Sequence, residues 1–155
     1  STPLIAHWPQ GIKGKGRLEK EPGHLVDIMA TVVEISGASY PKLYNGIPIR
    51  PLEGQSLSTA FNGRKHDRGP IFWEHEGNRA IRVNDWKLVA MGAKGQWELY
   101  DIATDREETK DLSTIHPDVA KDLQKQWTAY AHRANVFPLN PRQARARIEN
   151  EKAGK

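Results

Sequence analysis

Four short apolar runs follow one another between residues 70 and 101: PIFWEH, NRAIRVN, WKLVAM and QWELYD. The links between them are Glu76-Gly77, Asn84-Asp85 and GAKG, all of hairpin length. Parallel pairing would need crossovers of about a dozen residues, and this stretch has none. A four-stranded antiparallel meander is therefore expected, with Ile71 and Trp73, Ile81 and Val83, Trp86 and Leu88, and Trp97 and Leu99 forming an apolar face.

A sheet with one apolar face needs a cover, and the sequence offers one helix for it. From Pro117 onwards, Val119, Leu123, Trp127, Tyr130 and Ala134 recur every three or four positions. Pro117 suits the first helical position, and Asp118 complements the N-terminal dipole. The fold class expected is α+β: a meander over about 70–101 covered by a helix over about 117–133. Between them runs GQWELYDIATDREETKDLS, whose second half is polar. Asp105 and Glu108 form a D-x-x-E pattern that suits a reciprocally capped turn, so a structural joint is expected there.

The first third reads differently. PLIAHWP is expected as a short buried strand, followed by the loop QGIKGKGRLEKEPG with its glycines and basic residues. Neither phosphate-binding pattern, G-x-x-x-x-G-K-[S/T] or G-x-G-x-x-G, is present in that loop. HLVDIMATVVEISG is expected as a helix, with Leu25, Ile28, Met29, Val32 and Ile35 on one stripe and Gly37 as its stop. SYPKLYNGIPIRPLEG is turn-rich, and a short helix is expected over 56–61, ending at Asn62-Gly63.

Composition narrows the class. With 155 residues the chain has length for a real core, and 37% hydrophobic against 27% charged residues is a globular balance. No apolar run approaches the roughly 20 residues of a membrane-spanning helix. Cysteine is absent, which removes disulfides, thiolate metal sites and cysteine nucleophiles from these residues. The net charge of +4 is unevenly placed: residues 1–20 carry +3 and residues 142–155 carry +3, which leaves −2 for the 121 between them. The excess is read as a solvated loop and tail, not as a nucleic-acid surface.

Taken together, these segments resemble the C-terminal portion of sulfatases, including the arylsulfatases, which are sulfate-ester hydrolases. PLIAHWPQGI resembles a family strand ending in Trp-Pro-Gly, with Gln10 inserted before the glycine. HLVDIMATVVEISG resembles the family helix bearing a His, an Asp and then Pro-Thr-Leu, with Ala30 in place of the proline. GPIFWEHEGNRAIRVNDWKLV and WELYDIATDREETKDLS are the closest matches. The second is similar to E-L-Y-D-L-x-x-D-P-x-E-x-x-N-L, with Arg106 for the proline and Asp111 for the asparagine. The similarity runs from about residue 3 to 132.

The resemblance implies that the strand and helix of the first third are left over from a larger α/β catalytic domain. On that reading residues 1–63 are the end of the catalytic domain, 64–140 the C-terminal subdomain, and 141–155 a frayed basic tail. The catalytic part would lie upstream of Ser1, and the abrupt start on PLIAHW without a leader is expected of a fragment or processed product. The resemblance implies a formylglycine made within [C/S]-x-P-x-R and a calcium ion in the parent enzyme, but no catalytic residue, cofactor or metal in this chain. Ser39-Tyr40-Pro41-Lys42-Leu43 comes near that pattern but ends in Leu where Arg is required, so it is read as a loop.

Six histidines show no metal-binding spacing. His75, Asn78 and Arg79 are the candidate substrate-binding residues, because they flank one hairpin turn beside an aromatic strand. In the parent, Arg79 would meet anionic groups and His75 would bond sugar hydroxyls or sulfate. Lys87 is expected to point outward as a strand charge. The partners implied are the upstream catalytic domain and a sulfated small molecule or glycan, with neither nucleic acid nor membrane. A parent enzyme of this kind is expected in the periplasm or secreted. The exposed N-terminal strand is expected to invite self-association, or else to lie irregularly. An alternative function is a non-enzymatic polyanion-binding module using the basic loop and tail.

Overall fold

The computed structural model describes residues 2–14, 16–137 and 139, so the tail expected at 141–155 lies outside the described residues. The chain forms two compact units, Ser1–Arg68 and Gly69–Lys155.

In the second unit, β3 (Ile71–His75), β4 (Asn78–Val83), β5 (Trp86–Ala90) and β6 (Trp97–Asp101) form an antiparallel sheet in sequence order, the expected meander. The β3–β4 turn places Glu76 and Gly77 at φ of 53° and 86°. Both central residues being left-handed matches the right-handed twist of the flanking strands. That tight turn fixes the register His75↔Asn78, and hence Phe72↔Ile81 and, through the next strands, Ile81↔Leu88↔Leu99.

The helix α3 (Pro117–Arg133) covers this face, with Pro117 in its first turn and Asp118 beside the dipole, as expected. Leu123, Trp127 and Ala131 are buried against Ile81, Leu88 and Leu99. Phe72 lies at the edge of this cluster and stacks flat on Tyr130, with centroids 4.4 Å apart.

One expectation about the sheet needs correcting. Ile71 and Trp73 pair with Arg82 and Ala80, so they point to the face opposite Ile81, Leu88 and Leu99. The inward residue of β3 is Phe72. Alternation could not resolve three consecutive apolar residues, whereas the two-residue turn does.

In the first unit, α1 (Leu25–Ser36) forms where expected and ends at Gly37, with φ of 70°. Its N-terminus is a reciprocal cap: His24 accepts from Val26 N–H, and Asp27 Oδ2 accepts from His24 N–H at 2.7 Å. Burial, and then the charge of Arg68, holds His24 below the usual histidine range, which favours the neutral ring that can accept.

Asp27 does more than cap. It is fully buried; its Oδ1 accepts from Gln55 N–H at 2.9 Å, and Arg68 Nε donates to Oδ2 at 2.6 Å. One turn later, Thr31 Oγ1 donates to the Asp27 carbonyl and accepts from Leu57 N–H. Gly54 permits the approach, since a Cβ there would sit 2.1 Å from the Val26 carbonyl oxygen. The buried face of α1 is thus Asp27, Ala30 and Thr31. The apolar stripe read from the sequence faces outward instead, with Leu25 78%, Met29 56% and Val32 49% exposed.

Two further expectations change. Pro3–Trp8 form no strand; the segment is irregular and Ile5 is 92% exposed. The reason is physical: a strand is defined by its ladder, and no neighbouring strand pairs with this segment among the described residues. Conversely, the turn-rich stretch holds a small ribbon, β1 (Leu43–Tyr44) paired with β2 (Ile47–Pro48). Asn45-Gly46 at φ of 51° and 79° makes the turn, and Asn-Gly between apolar residues is a strong hairpin signal. The short helix α2 (Ser58–Phe61) follows, within the expected span.

Two substitutions measure what holds each unit. Trp127→Ala should cost about 3–5 kcal/mol in urea unfolding, the range for removing a large buried aromatic; a loss under about 1 kcal/mol would show that α3 contributes little to the core. Asp27→Ala should destabilise the first unit by roughly 3–5 kcal/mol, because it strands a buried guanidinium. Unchanged amide-exchange protection across α1 would show that Arg68 finds other compensation.

Candidate functional site

Both the β3–β4 turn and the β5–β6 loop lie at one end of the sheet, and the candidate residues converge there. Asn78 Oδ1 accepts from Gly92 N–H at 2.8 Å. Arg79 Nη2 donates to Gly92 O at 3.2 Å and to Gly95 O at 2.9 Å. The loop from Met91 to Gly95 is shaped for this contact. Gly92 has φ of 67°, and a Cβ on Gly95 would lie 1.9 Å from the Met91 carbonyl oxygen. A Cβ on Gly77 would come within 3.0 Å of Ala93 N, so turn and loop are in van der Waals contact.

Arg79 reaches the loop across an aromatic floor. Its Cζ sits 4.6 Å from the Trp97 ring centre and 5.8 Å from that of Trp127. A delocalised, weakly hydrated guanidinium suits such a stack better than an ammonium would. Burial holds its pKa below the usual arginine value, yet an arginine remains charged throughout the physiological range.

His75 is placed apart. It is exposed, and strand alternation turns it to the face opposite Arg79. Hydrogen bonds therefore bring Asn78 and Arg79 to one loop, whereas His75, the ladder partner of Asn78, makes no hydrogen bond to that loop among the described residues. That these two side chains clamp a second loop was missed in reading the sequence. The available signal was Met91-Gly-Ala-Lys-Gly95, a glycine-bounded link in hairpin register with Asn78 and Arg79.

The polar stretch after β6 is a structural joint. Asp105 accepts from the backbone N–H groups of Lys110 and then Thr109, which lowers its pKa. Asp111 accepts from Leu99 N–H at 2.9 Å and Ser113 N–H at 2.8 Å, tying the joint to the edge of β6. Glu108 does not close the reciprocal cap expected of it; at φ of 56° it turns back and pairs with Lys87. Lys87 is thereby an ion-paired strand residue. Across the ladder from it, Tyr100 is buried and donates to Glu98 Oε2 at 3.0 Å.

Elsewhere the chemistry is sparse. Arg17 of the basic loop donates to Ala60 O and pairs with Glu19. Ser39 is exposed between α1 and β1. Among the described residues, no group of three or more His, Cys, Asp or Glu side chains is placed to hold a metal ion.

The family model for N-sulphoglucosamine sulphohydrolase, C-terminal, matches residues 1–133. The chain belongs to this family. It is 28% identical over 141 residues to an uncharacterised sulfatase of Schizosaccharomyces pombe, an alignment covering 86% of this chain and 25% of that protein. It is 26% identical over 133 residues to human arylsulfatase K, covering 81% of this chain and 24% of that protein. The sulfatase C-terminal domain thus spans about a quarter of the length of the curated relatives it matches. Among solved structures, Ps i-CgsB shares its fold with a TM-score of 0.65 at 24% identity, over 81% of this chain and 27% of that one.

Tyr100 gives the domain an alkaline limit. Burial, then the bond to Glu98 and the charges of Glu98, Asp111 and Glu108, push its pKa up to about 12. A phenol whose folded pKa lies above its unfolded value near 10 favours folding below pH ~10 and loses that advantage as pH rises towards about 12. Tyr100→Phe should flatten the fall of unfolding free energy across that window; an unchanged slope would show that Tyr100 ionises in the folded state as it does unfolded.

Proposed function

We propose that this sulfatase C-terminal domain belongs to an enzyme that hydrolyses sulfate esters of carbohydrates or aryl groups. In it, the domain supplies packing and part of a substrate-pocket wall. The observation that carries the reading is α1. One face of this helix is closed by the Asp27–Arg68 latch, and the other presents an apolar stripe to solvent. A helix with a satisfied polar face and an open apolar one is built to be covered from both sides. The cover is the remaining three-quarters of a sulfatase-length chain.

In this reading the chemistry resides in that remainder. A calcium ion would offset sulfate charge there and a formylglycine hydrate would supply the nucleophile. The described residues of this chain do not fit either group: they offer no metal-binding cluster, and the Ser39–Leu43 near-match lacks the arginine. The wall is the β3–β4 hairpin, with Arg79 and its support Asn78 towards the substrate and His75 a contact from the opposite face of the same turn. A sulfated glycan is favoured as substrate by the family description, which names a sulphated amino sugar.

The coding sequence preceding Ser1 tests this directly. A [C/S]-x-P-x-R segment a few hundred codons upstream is expected, and an initiating methionine immediately before Ser1 would sink the reading. Separately, Val32→Glu should change the stability of the isolated chain by no more than about 0.5 kcal/mol, since the side chain is exposed. In the full-length enzyme the same change should cost several-fold in folded yield. Equal tolerance in both contexts would mean that the stripe is not covered.

A further inference from the structure

Arg79 is a half-buried cation without a carboxylate partner among the described residues. Ion pairs among the described residues are Arg17–Glu19, Arg68–Asp27 and Lys87–Glu108. Glu74 stands directly across the ladder from Arg79, yet its carboxylate accepts from Gly77 N–H instead. The guanidinium is nonetheless immobilised, by two carbonyls at Nη2 and by the rings of Trp97 and Trp127. Its Nε is buried without a hydrogen-bond partner. Nη1 makes no hydrogen bond among the described residues and, unlike Nε, is not fully buried, so it is the guanidinium nitrogen left available as a donor.

We propose that Arg79 Nη1 is a preformed donor for an anionic oxygen, a sulfate or carboxylate group of a carbohydrate chain. The inference rests on the reading of this chain as part of a sulfate-ester hydrolase and assigns one contact within it. Three physical points support the assignment. Partial burial has removed some of the water from the cation, so an arriving anion offsets a cost the fold already bears. A charge-assisted bond from guanidinium to an anionic oxygen is roughly twice as strong as a neutral one. Because the side chain is already held, little rotamer freedom remains to be lost on binding. Asn78 is then a positioning residue, since it holds Gly92, whose carbonyl holds Arg79.

The test uses this chain, with glucosamine 6-sulfate and inorganic sulfate as probes and neutral glucosamine as control. NMR follows the Arg79 guanidinium and the Trp97 indole N–H. Both anions should produce saturable shifts at these two groups, and glucosamine should produce none. Arg79→Lys, which keeps the charge but loses the fork, should weaken binding about five-fold or more. Asn78→Ala should weaken it while leaving the Arg79 charge in place. Non-saturating shifts, shifts confined to the basic loop around Lys13, Arg17 and Lys20, or equal affinity in wild type and Arg79→Lys would each overturn the proposal. If Arg79→Lys fails to fold, the wild-type shift map and Asn78→Ala still decide. A negative result beside an upstream [C/S]-x-P-x-R segment removes only the role of Arg79. A positive result without that segment keeps the anion contact and removes the hydrolase reading.

Discussion

The second unit depends on the indole of Trp127. Its ring fills the core between α3 and the sheet, and its Nε1 donates to the Trp73 carbonyl at 3.1 Å. It makes T-shaped contacts with Trp97 and Phe137, with centroids 5.6 Å and 5.9 Å apart, and the Arg79 guanidinium carbon lies 5.8 Å from its ring centre. A buried indole needs a partner for its single N–H, and the edge strand β3 supplies one. Helix, sheet and candidate site are therefore tied at one residue. A change that shifts Trp127 moves the floor on which Arg79 rests, so stability and site geometry are not separable at this end of the sheet.

The first unit is organised by a polar interaction. A buried aspartate is tolerable only when its oxygens are bonded, and Asp27 receives two backbone N–H groups and a guanidinium. Such a network contributes less to net stability than to uniqueness of arrangement, since an apolar replacement of equal volume is often no worse. What it fixes here is position. It sets the 54–57 segment and the 66–68 segment against one face of α1, and by occupying that face it commits the apolar stripe to the other.

How much of this was legible in the sequence varies with the range of the forces involved. The meander and α3 were legible because short turns, alternation and a 3.6-residue period are local signals. The β3 register was legible in principle, since Glu76-Gly77 sets His75 opposite Asn78, yet three consecutive apolar residues concealed it. The Asn45-Gly46 ribbon carried a strong turn signal that a run of prolines obscured. By contrast, the stripe on α1 gave the right helix and a misleading buried face. Periodicity reports which residues prefer burial, and it is silent on whether the covering surface is part of the same chain segment. The Asp27–Arg68 pair, separated by 41 positions, left only the H-x-x-D cap as a trace. The sulfatase resemblance, carried by four ordered segments, agrees with the family match over residues 1–133.

For Asn78 and Arg79, clamping a loop and contacting a ligand are not competing roles. A flexible surface arginine must give up most of its rotamer freedom to meet an anion, and its hydrated head has little to gain from doing so. Arg79 has given up that freedom on folding, to two carbonyls and two indoles, and its remaining donor is aimed without further ordering. The structural bonds are what make the free edge useful. By the same logic alanine is a poor probe of this residue, because it collapses the loop and removes the donor together. A conservative change at Arg79, set beside a change at the Asn78 support, separates the two contributions that a single truncation would merge.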